Sequence, residues 1–316
     1  GRPDRFWHAF AYWNIHSPLW EVTMCVGLYF TVLFLEVIPI FGDAPVLKKR
    51  WPRVSFNMKK VHHLAPILAI AGLGLSMLHQ SSLGATYGVL KARPIWYRPS
   101  MAVLFIISAV VAGPALVVLA SMVASRLSGR AKINDKVLDQ ISRFVGWALV
   151  LFLYLRFWET LAMSYTYEPA RSEGLDMLTR GPLAFNFWTG EILLGIIVPM
   201  IILLSNRLRR QPRLNMLAMI MVVGGLVAYR WDVNLVGQLV VAGALPQEII
   251  PRYTQYIPSL IEFMVAAGAI AYALLAFTFG VRYLRVVDHG EAVEHEVDES
   301  EADTKPIPVR VSSGTD

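Results

Sequence analysis

Seven long apolar blocks run along the chain, each bounded by a basic or an aromatic stretch. They cover residues 18–41, 61–83, 99–125, 139–164, 184–206, 214–233 and 257–284. Each holds roughly the 20 residues that carry a helix across a ~30 Å hydrocarbon core. None shows the strict apolar–polar alternation of a barrel strand. A helix satisfies its own backbone hydrogen bonds, which lipid cannot do for it. The pattern therefore predicts an all-α, polytopic transmembrane bundle over residues 18–285. Residues 1–17 read as a segment outside the bilayer. Residues 286–316 carry Glu291, Glu294, Glu296, Asp298, Glu299, Glu301 and Asp303 without an apolar block, and read as a disordered acidic tail.

The connections alternate in character. Lys48, Lys49, Arg50, Arg53, Lys59 and Lys60 follow the first block, Arg126, Arg130, Lys132 and Lys136 the third, Arg207, Arg209, Arg210 and Arg213 the fifth, and Arg282 and Arg285 close the seventh. The opposite side has half as many: Arg2, Arg5, Lys91, Arg93, Arg98, Arg171, Arg180 and Arg252. The positive-inside rule puts the richer side and the C-terminus in the cytoplasm, and residues 1–17 on the periplasmic side of an inner membrane. The outer connections hold Trp96, Tyr97, Tyr165, Tyr167, Tyr253 and Tyr256. Such aromatics form an interfacial belt, or else a docking surface or the mouth of a pocket.

Composition agrees with the bilayer reading. The chain is 55% hydrophobic and 16% charged, against roughly a quarter charged in soluble domains. Its single cysteine, Cys25, excludes a disulfide framework and any four-cysteine cluster held by this chain alone. It reads as a small core residue.

Ionisable groups inside a membrane span are costly and mark function by default. Glu21 lies one turn inside the first block, and His79 and Gln80 lie near the outer end of the second. Arg156 and Glu159 share a face of the fourth, three residues apart. Glu191 is two turns into the fifth, Arg230 and Asp232 are near the outer end of the sixth, and Glu262 is just inside the seventh. On the inner side only Glu36, His62 and His63 appear. The bland reading is that these groups sit near helix ends and snorkel to water or headgroups. It is weakest for Arg156, Glu159 and Glu191, which have apolar sequence on both sides. A paired, partly hydrated cluster could bind a polar headgroup or pass protons.

A bis-histidine haem b needs two ligands at one depth on facing helices. Only His16 and His79 offer such a pair on the outer side, and the adjacent His62 and His63 point apart. No metal site is expected. Walker, Rossmann and zinc signatures are missing, and Gly72-Leu73-Gly74 is too short to mean more than packing. Pro114, Pro199 and Gly224-Gly225 within blocks are explained by kinks or close helix contacts.

Gly1-Arg2-Pro3 with Arg5-Phe6-Trp7 resembles a turn shared by the NrfD/PsrC-like membrane subunits. Ser17-Pro18-Leu19-Trp20-Glu21-Val22-Thr23, Leu78-His79-Gln80-Ser81-Ser82-Leu83-Gly84 and Arg93-Pro94-Ile95-Trp96-Tyr97-Arg98-Pro99 are similar to the HybB type, the membrane subunit of periplasmic nickel–iron hydrogenase complexes. The likeness runs from residue 1 to about 285. It implies a membrane anchor of a respiratory oxidoreductase that binds menaquinone or ubiquinone near the periplasmic face. The implied partners are a periplasmic four-cluster iron–sulfur subunit and a catalytic subunit, either hydrogenase or molybdoenzyme; no nucleic-acid partner is expected. In the family that turn follows earlier helices, so a full-length protein of about ten spans is implied, with part of the quinone pocket before Gly1.

Quinone reduction takes two electrons and two protons, so its site needs hydrogen-bond donors and a protonatable relay. Histidine titrates near neutrality and suits that role. The quinone candidates are His79, Gln80 and His16. The relay candidates are Glu21, Glu159, Glu191 and Glu262, with Arg156, Arg230 and Asp232 setting the field. The rival readings are a secondary transporter or proton-conducting module, and a passive anchor whose charges only stabilise the bundle. Transporters commonly show inverted repeats and midplane sites; no convincing repeat is visible here, and the charges lie off the midplane.

Overall fold

The computed structural model describes residues 3–5, 7–43, 45–128, 134–240 and 256–283. Seven of its helices are long and apolar enough to cross a membrane. They are α1 (Pro18–Gly42), α2 (Ala65–Gly88), α3 (Ser100–Ser128), α4 (Asp135–Tyr165), α5 (Asn186–Leu204), α6 (Pro212–Leu239) and α7 (Leu260–Tyr283). No strand ladder occurs among the described residues. The all-α bundle expected from the apolar blocks is thus observed. The acidic tail, the connection 241–255 and the bases Arg130, Lys132 and Arg285 lie outside the described residues.

Local chemistry sets the helix ends. Pro18 opens α1 after an extended Ser17, where its missing N–H costs nothing. The Asn134 side chain caps α4 by accepting from the Lys136 N–H at 3.0 Å. At α7, Ser259 and Glu262 form a reciprocal cap: the Ser259 N–H donates to Glu262 Oε2 at 2.7 Å, and the Glu262 N–H donates to Ser259 Oγ at 3.3 Å.

Two helices run five or more residues past the ends of their apolar blocks. The small, polar residues after position 83 look like a loop, yet α2 continues to Gly88. A side chain at Gly84 or Gly88 would strike the backbone at Met101–Ala102 or Arg98, so α2 lies backbone to backbone on the start of α3. Helix α6 continues to Leu239 because Gly237 accommodates the Trp96 ring, whose Nε1 donates to the Val233 carbonyl at 2.6 Å. Gln80 and Arg230 consequently lie eight or nine residues from their helix ends, about 12–14 Å deep at 1.5 Å per residue.

Helices α3 to α6 form the packed core, filled by Phe152, Phe187, Leu149, Met219 and Tyr229. Helices α5 and α6 touch at Gly195 and Gly225, where a Cβ on either would overlap the other's backbone. That close approach is the small-residue contact that holds membrane helices together without a hydrophobic drive. Helix α1 pairs with α2, α2 packs on α3, and α7 lies against α3. Successive helices alternate in direction. One end of the bundle gathers Trp96, Tyr97, Tyr165, Tyr167 and Trp188, and is called the aromatic end below. The other, the basic end, gathers Lys48, Arg50, Lys59, Arg126 and Arg207.

Candidate functional site

An ionic chain threads α4 and α5 in the half of the bundle nearer the aromatic end. Arg156 is 2% exposed, Glu159 6% and Glu191 0%. The Arg156 guanidinium donates from Nε to Glu191 Oε1 at 2.6 Å and from Nη1 to Glu159 Oε2 at 2.7 Å. It also lies over the Phe187 and Tyr229 rings, 5.3 and 5.2 Å from their centroids. Glu159 is held from its other side by Arg98 Nε at 2.9 Å and by the Ser100 hydroxyl at 3.2 Å. Each carboxylate in this chain faces a guanidinium, which is what makes charges tolerable in so dry a place.

Arg98 was counted by sequence only as an outer-loop base. It turns inward instead, and its guanidinium contacts the thioethers of Met163 and Met101 as well as Glu159. Burial draws its pKa below the usual arginine value, and the Glu159 charge opposes that. Arg98, Ser100 and Glu159 form the polar side of a cavity of about 400 Å³ between α3 and α4. Val103, Leu104, Leu155, Trp158 and Ala162 form its apolar side.

Helix α5 departs from α geometry. Residues Asn186–Ile197 form a π-helix, whose i→i+5 hydrogen bonds bring residues four and five apart onto one face. Asn186 and Glu191 therefore share one face of α5, Asn186 reaching α6 and Glu191 reaching Arg156 of α4. The Asn186 amide donates to Asp232 Oδ1 at 2.8 Å and to the Ala228 carbonyl at 3.2 Å. Asp232 Oδ2 and the Tyr229 hydroxyl are buried without a hydrogen-bond partner. Periodicity alone hides Asn186, because an α-helical wheel turns it away from Glu191.

A second polar group lies between α2, α3 and α6. Arg230 Nη2 donates to Gln80 Oε1 at 3.1 Å, to Ser108 Oγ at 2.8 Å and to the Phe105 carbonyl at 3.2 Å. Its guanidinium carbon is 3.6 Å from the centroid of the Phe105 ring. One to two turns further on, the Tyr87 hydroxyl donates to Asn234 Oδ1 at 2.5 Å.

The third group joins α1 to α2, where the Ser82 hydroxyl donates to Glu21 Oε1 at 2.6 Å. His79 lies three residues before Ser82, on the same face. It is half-buried, and its Nδ1 is buried with no partner. Cys25, 4% exposed, belongs to this interface too.

The sequence-predicted set thus falls into three groups. Arg156, Glu159 and Glu191 are bonded together. Gln80 and Arg230 are bonded together. Glu21 and His79 share the α1–α2 interface. Asp232 reaches α5 through Asn186. His16 is exposed in the segment before α1, and Glu262 is exposed, engaged in the cap of α7. Glu36, His62 and His63 are not joined by any side-chain hydrogen bond to these groups. Among the described residues no cluster of three or more His, Cys, Asp or Glu side chains could hold a metal ion.

The basic end holds a pair that charge counting missed. Arg209, assigned by sequence to a basic loop, is 3% exposed and donates to Asp139 Oδ1 at 2.8 Å and to the Leu203 carbonyl at 2.8 Å. It ties the end of α5 to the start of α4.

Comparison with known proteins follows the same lines. The family described as Polysulphide reductase, NrfD matches residues 1–242. A menaquinone reductase integral membrane subunit of Nitratidesulfovibrio vulgaris is 30% identical over 294 residues, which is 90% of this chain and 69% of that protein. A selenate reductase subunit of Mesobacillus selenatarsenatis is 24% identical, covering 93% of this chain and 74% of its own length. A probable Ni/Fe-hydrogenase 2 b-type cytochrome subunit of Escherichia coli is 24% identical, covering 88% and 65%.

Proposed function

The chain belongs to the NrfD polysulphide reductase family, and from that premise we propose that this multi-pass membrane protein is the quinone-reactive anchor of a respiratory oxidoreductase. An iron–sulfur subunit, docked on a catalytic subunit, exchanges electrons with it at the aromatic end. The membrane quinone pool, menaquinone or ubiquinone, takes or supplies them. The aromatic end then faces the periplasm and the C-terminus the cytoplasm of an inner membrane, as the distribution of basic residues favours.

The observation that carries this reading is the concentration of buried polar side chains on α2, α4, α5 and α6 in one half of the bundle. A passive anchor has no need of them, since apolar residues would pack at least as stably. The headgroup lies against α2, with His79 and Gln80 as neighbours and His16 above them. The His79 Nδ1, buried and without a partner, is free to bond a quinone oxygen. Glu21 next to it and the Arg98–Glu159–Arg156–Glu191 chain supply routes for the two protons. The ionic chain also favours proton transfer along α4 and α5 as a second activity of the same protein. The relatives named for menaquinone reductase and for a menaquinol oxidoreductase membrane subunit support the choice of quinone over other small molecules.

The test is His79→Ala in the assembled complex. Quinone-linked electron transfer should be abolished while the complex still assembles and its catalytic subunit still turns over with an artificial electron carrier. Normal quinol turnover in that variant sinks the assignment of His79. Substrate uptake by the protein alone in liposomes, with no redox partner, would instead favour a transporter.

A further inference from the structure

Among the described residues, three arginines drawn into the bundle each face a carboxylate. Arg98 meets Glu159, Arg156 meets Glu159 and Glu191, and Arg209 meets Asp139. Arg230 differs. Its partners are neutral dipoles, namely the Gln80 amide oxygen, the Ser108 hydroxyl and the Phe105 carbonyl, together with the face of the Phe105 ring. All three hydrogen bonds use Nη2. The Nε and Nη1 groups make none, yet they are not among the buried unsatisfied atoms. They are therefore not sealed inside the bundle.

A guanidinium does not deprotonate in a protein. One held in the apolar part of a bundle without a counter-charge is a strong attractor for an anion. Arg230 lies nine residues, about 13–14 Å along the helix, from the aromatic end of α6. Helices α2 and α6 both pack on α3 and reach across it, with Phe105 and Ser108 beneath and Gln80 to one side.

We propose that Arg230 is the anion-binding element of this junction, and that its ligand is a one-electron-reduced quinone headgroup. This rests on the quinone reading above and extends it. A neutral quinone accepts one electron from the iron–sulfur partner and becomes a semiquinone anion, whose charge sits on an oxygen that Arg230 can reach with its unused N–H groups. A second electron and two protons then complete the quinol. Arg230 holds the intermediate, so the two electrons need not arrive together. Gln80 fixes the guanidinium by accepting from Nη2.

The experiment is potentiometric titration of the intact complex in native membranes, reading the quinone radical by electron paramagnetic resonance. Binding of heptyl-hydroxyquinoline N-oxide is followed in parallel by its fluorescence. The natural protein should show a stabilised radical. Arg230→Met should lower the radical yield on the order of tenfold or more while still binding the inhibitor, and Arg230→Lys, which keeps the charge, should retain part of the signal. An unchanged radical in Arg230→Met, or a natural complex that binds the inhibitor but shows no radical, overturns the proposal and leaves the quinone reading standing. A natural complex that binds no inhibitor overturns the quinone reading itself. If Arg230→Met does not assemble, Arg230→Lys and Arg230→Gln decide: equal radical yields in those two would count against a role for charge.

Discussion

Arg156 and Glu191 meet at 2.6 Å across the interface of α4 and α5, both sealed from solvent. Breaking such a pair leaves one charge stranded, a loss of about 3–5 kcal/mol, whereas replacing both members by apolar residues is far milder. Arg156→Met should therefore destabilise strongly, since it orphans Glu191 outright. The double variant Arg156→Met with Glu191→Leu should recover much of the loss, because Glu159 keeps Arg98 and Ser100. Thermal unfolding in detergent, followed by tryptophan fluorescence, measures both. A double variant as unstable as the single one would mean that the pair is not the unit described here.

Gly225 and Gly224 are neighbours in sequence with opposite surroundings. A methyl on Gly225 would overlap Gly195 of α5, while one on Gly224 would meet nothing within 4 Å. Gly225→Ala should cost roughly 1–3 kcal/mol by forcing the two helices apart. Gly224→Ala should be neutral or slightly stabilising, since alanine is the better helix former by about 1 kcal/mol. The difference in unfolding temperature between the two variants is the measurement, and equal values would refute the close approach of α5 and α6.

These contrasts also mark what was legible in sequence. Each crossing was visible because about twenty apolar residues are needed to span lipid and few other structures need so many. Helix ends were less visible. Residues 84–88 are mostly small or polar, and Asn234, Gly237 and Gln238 interrupt 234–239; both stretches remain helical through contacts with α3 and with Trp96 that no local pattern encodes. The carboxylates and Arg156 stood out because charge in an apolar run is rare. Arg98 did not, because it precedes Pro99 in a segment rich in aromatic and basic residues and only the fold turns it toward Glu159. Tyr229 was not singled out within its apolar block, and Asn186 was hidden by the π-helical register.

Asp43, just beyond α1, lies outside the spans. Lys59 Nζ is 2.6 Å from Asp43 Oδ1 and Lys48 Nζ 3.2 Å. The hydrogen bond from Lys59, more than the one from Lys48, holds the Asp43 carboxyl below the ordinary Asp value. A carboxyl depressed on folding contributes stability above its unfolded pKa of about 3.9, and that contribution fades as pH falls through the lower folded value. Its side chain is 42% exposed, so the contribution is under about 1 kcal/mol and shrinks with salt. Asp43→Asn should lower the unfolding temperature slightly at neutral pH and low salt. The gap to the natural protein should close from about pH 4 downward. A gap that widens in acid would contradict the pairing.

Glu159 joins the cavity between α3 and α4 to the buried chain, since one of its oxygens is ion-paired with Arg98 and accepts from Ser100, while the other accepts from Arg156. Should protons leave or reach a quinone by this route, Glu159 is the one carboxylate among the residues lining the cavity, and the arginines beside it stay protonated. Glu159→Gln keeps the size and removes the carboxylate. A positioned acid or base contributes about 10²–10⁴-fold to a rate, so quinol turnover in the assembled complex should fall into that range while inhibitor binding stays unchanged. Glu159→Asp should restore part of the rate, although its shorter side chain reaches the two arginines less well. The pH profile separates the roles: a relay residue flattens the dependence of turnover on pH when it becomes glutamine, while a purely structural Glu159 would lower the amount of folded protein and leave the shape of the profile intact. An unaltered profile with normal turnover would restrict the proton route to Glu21 and the α1–α2 interface.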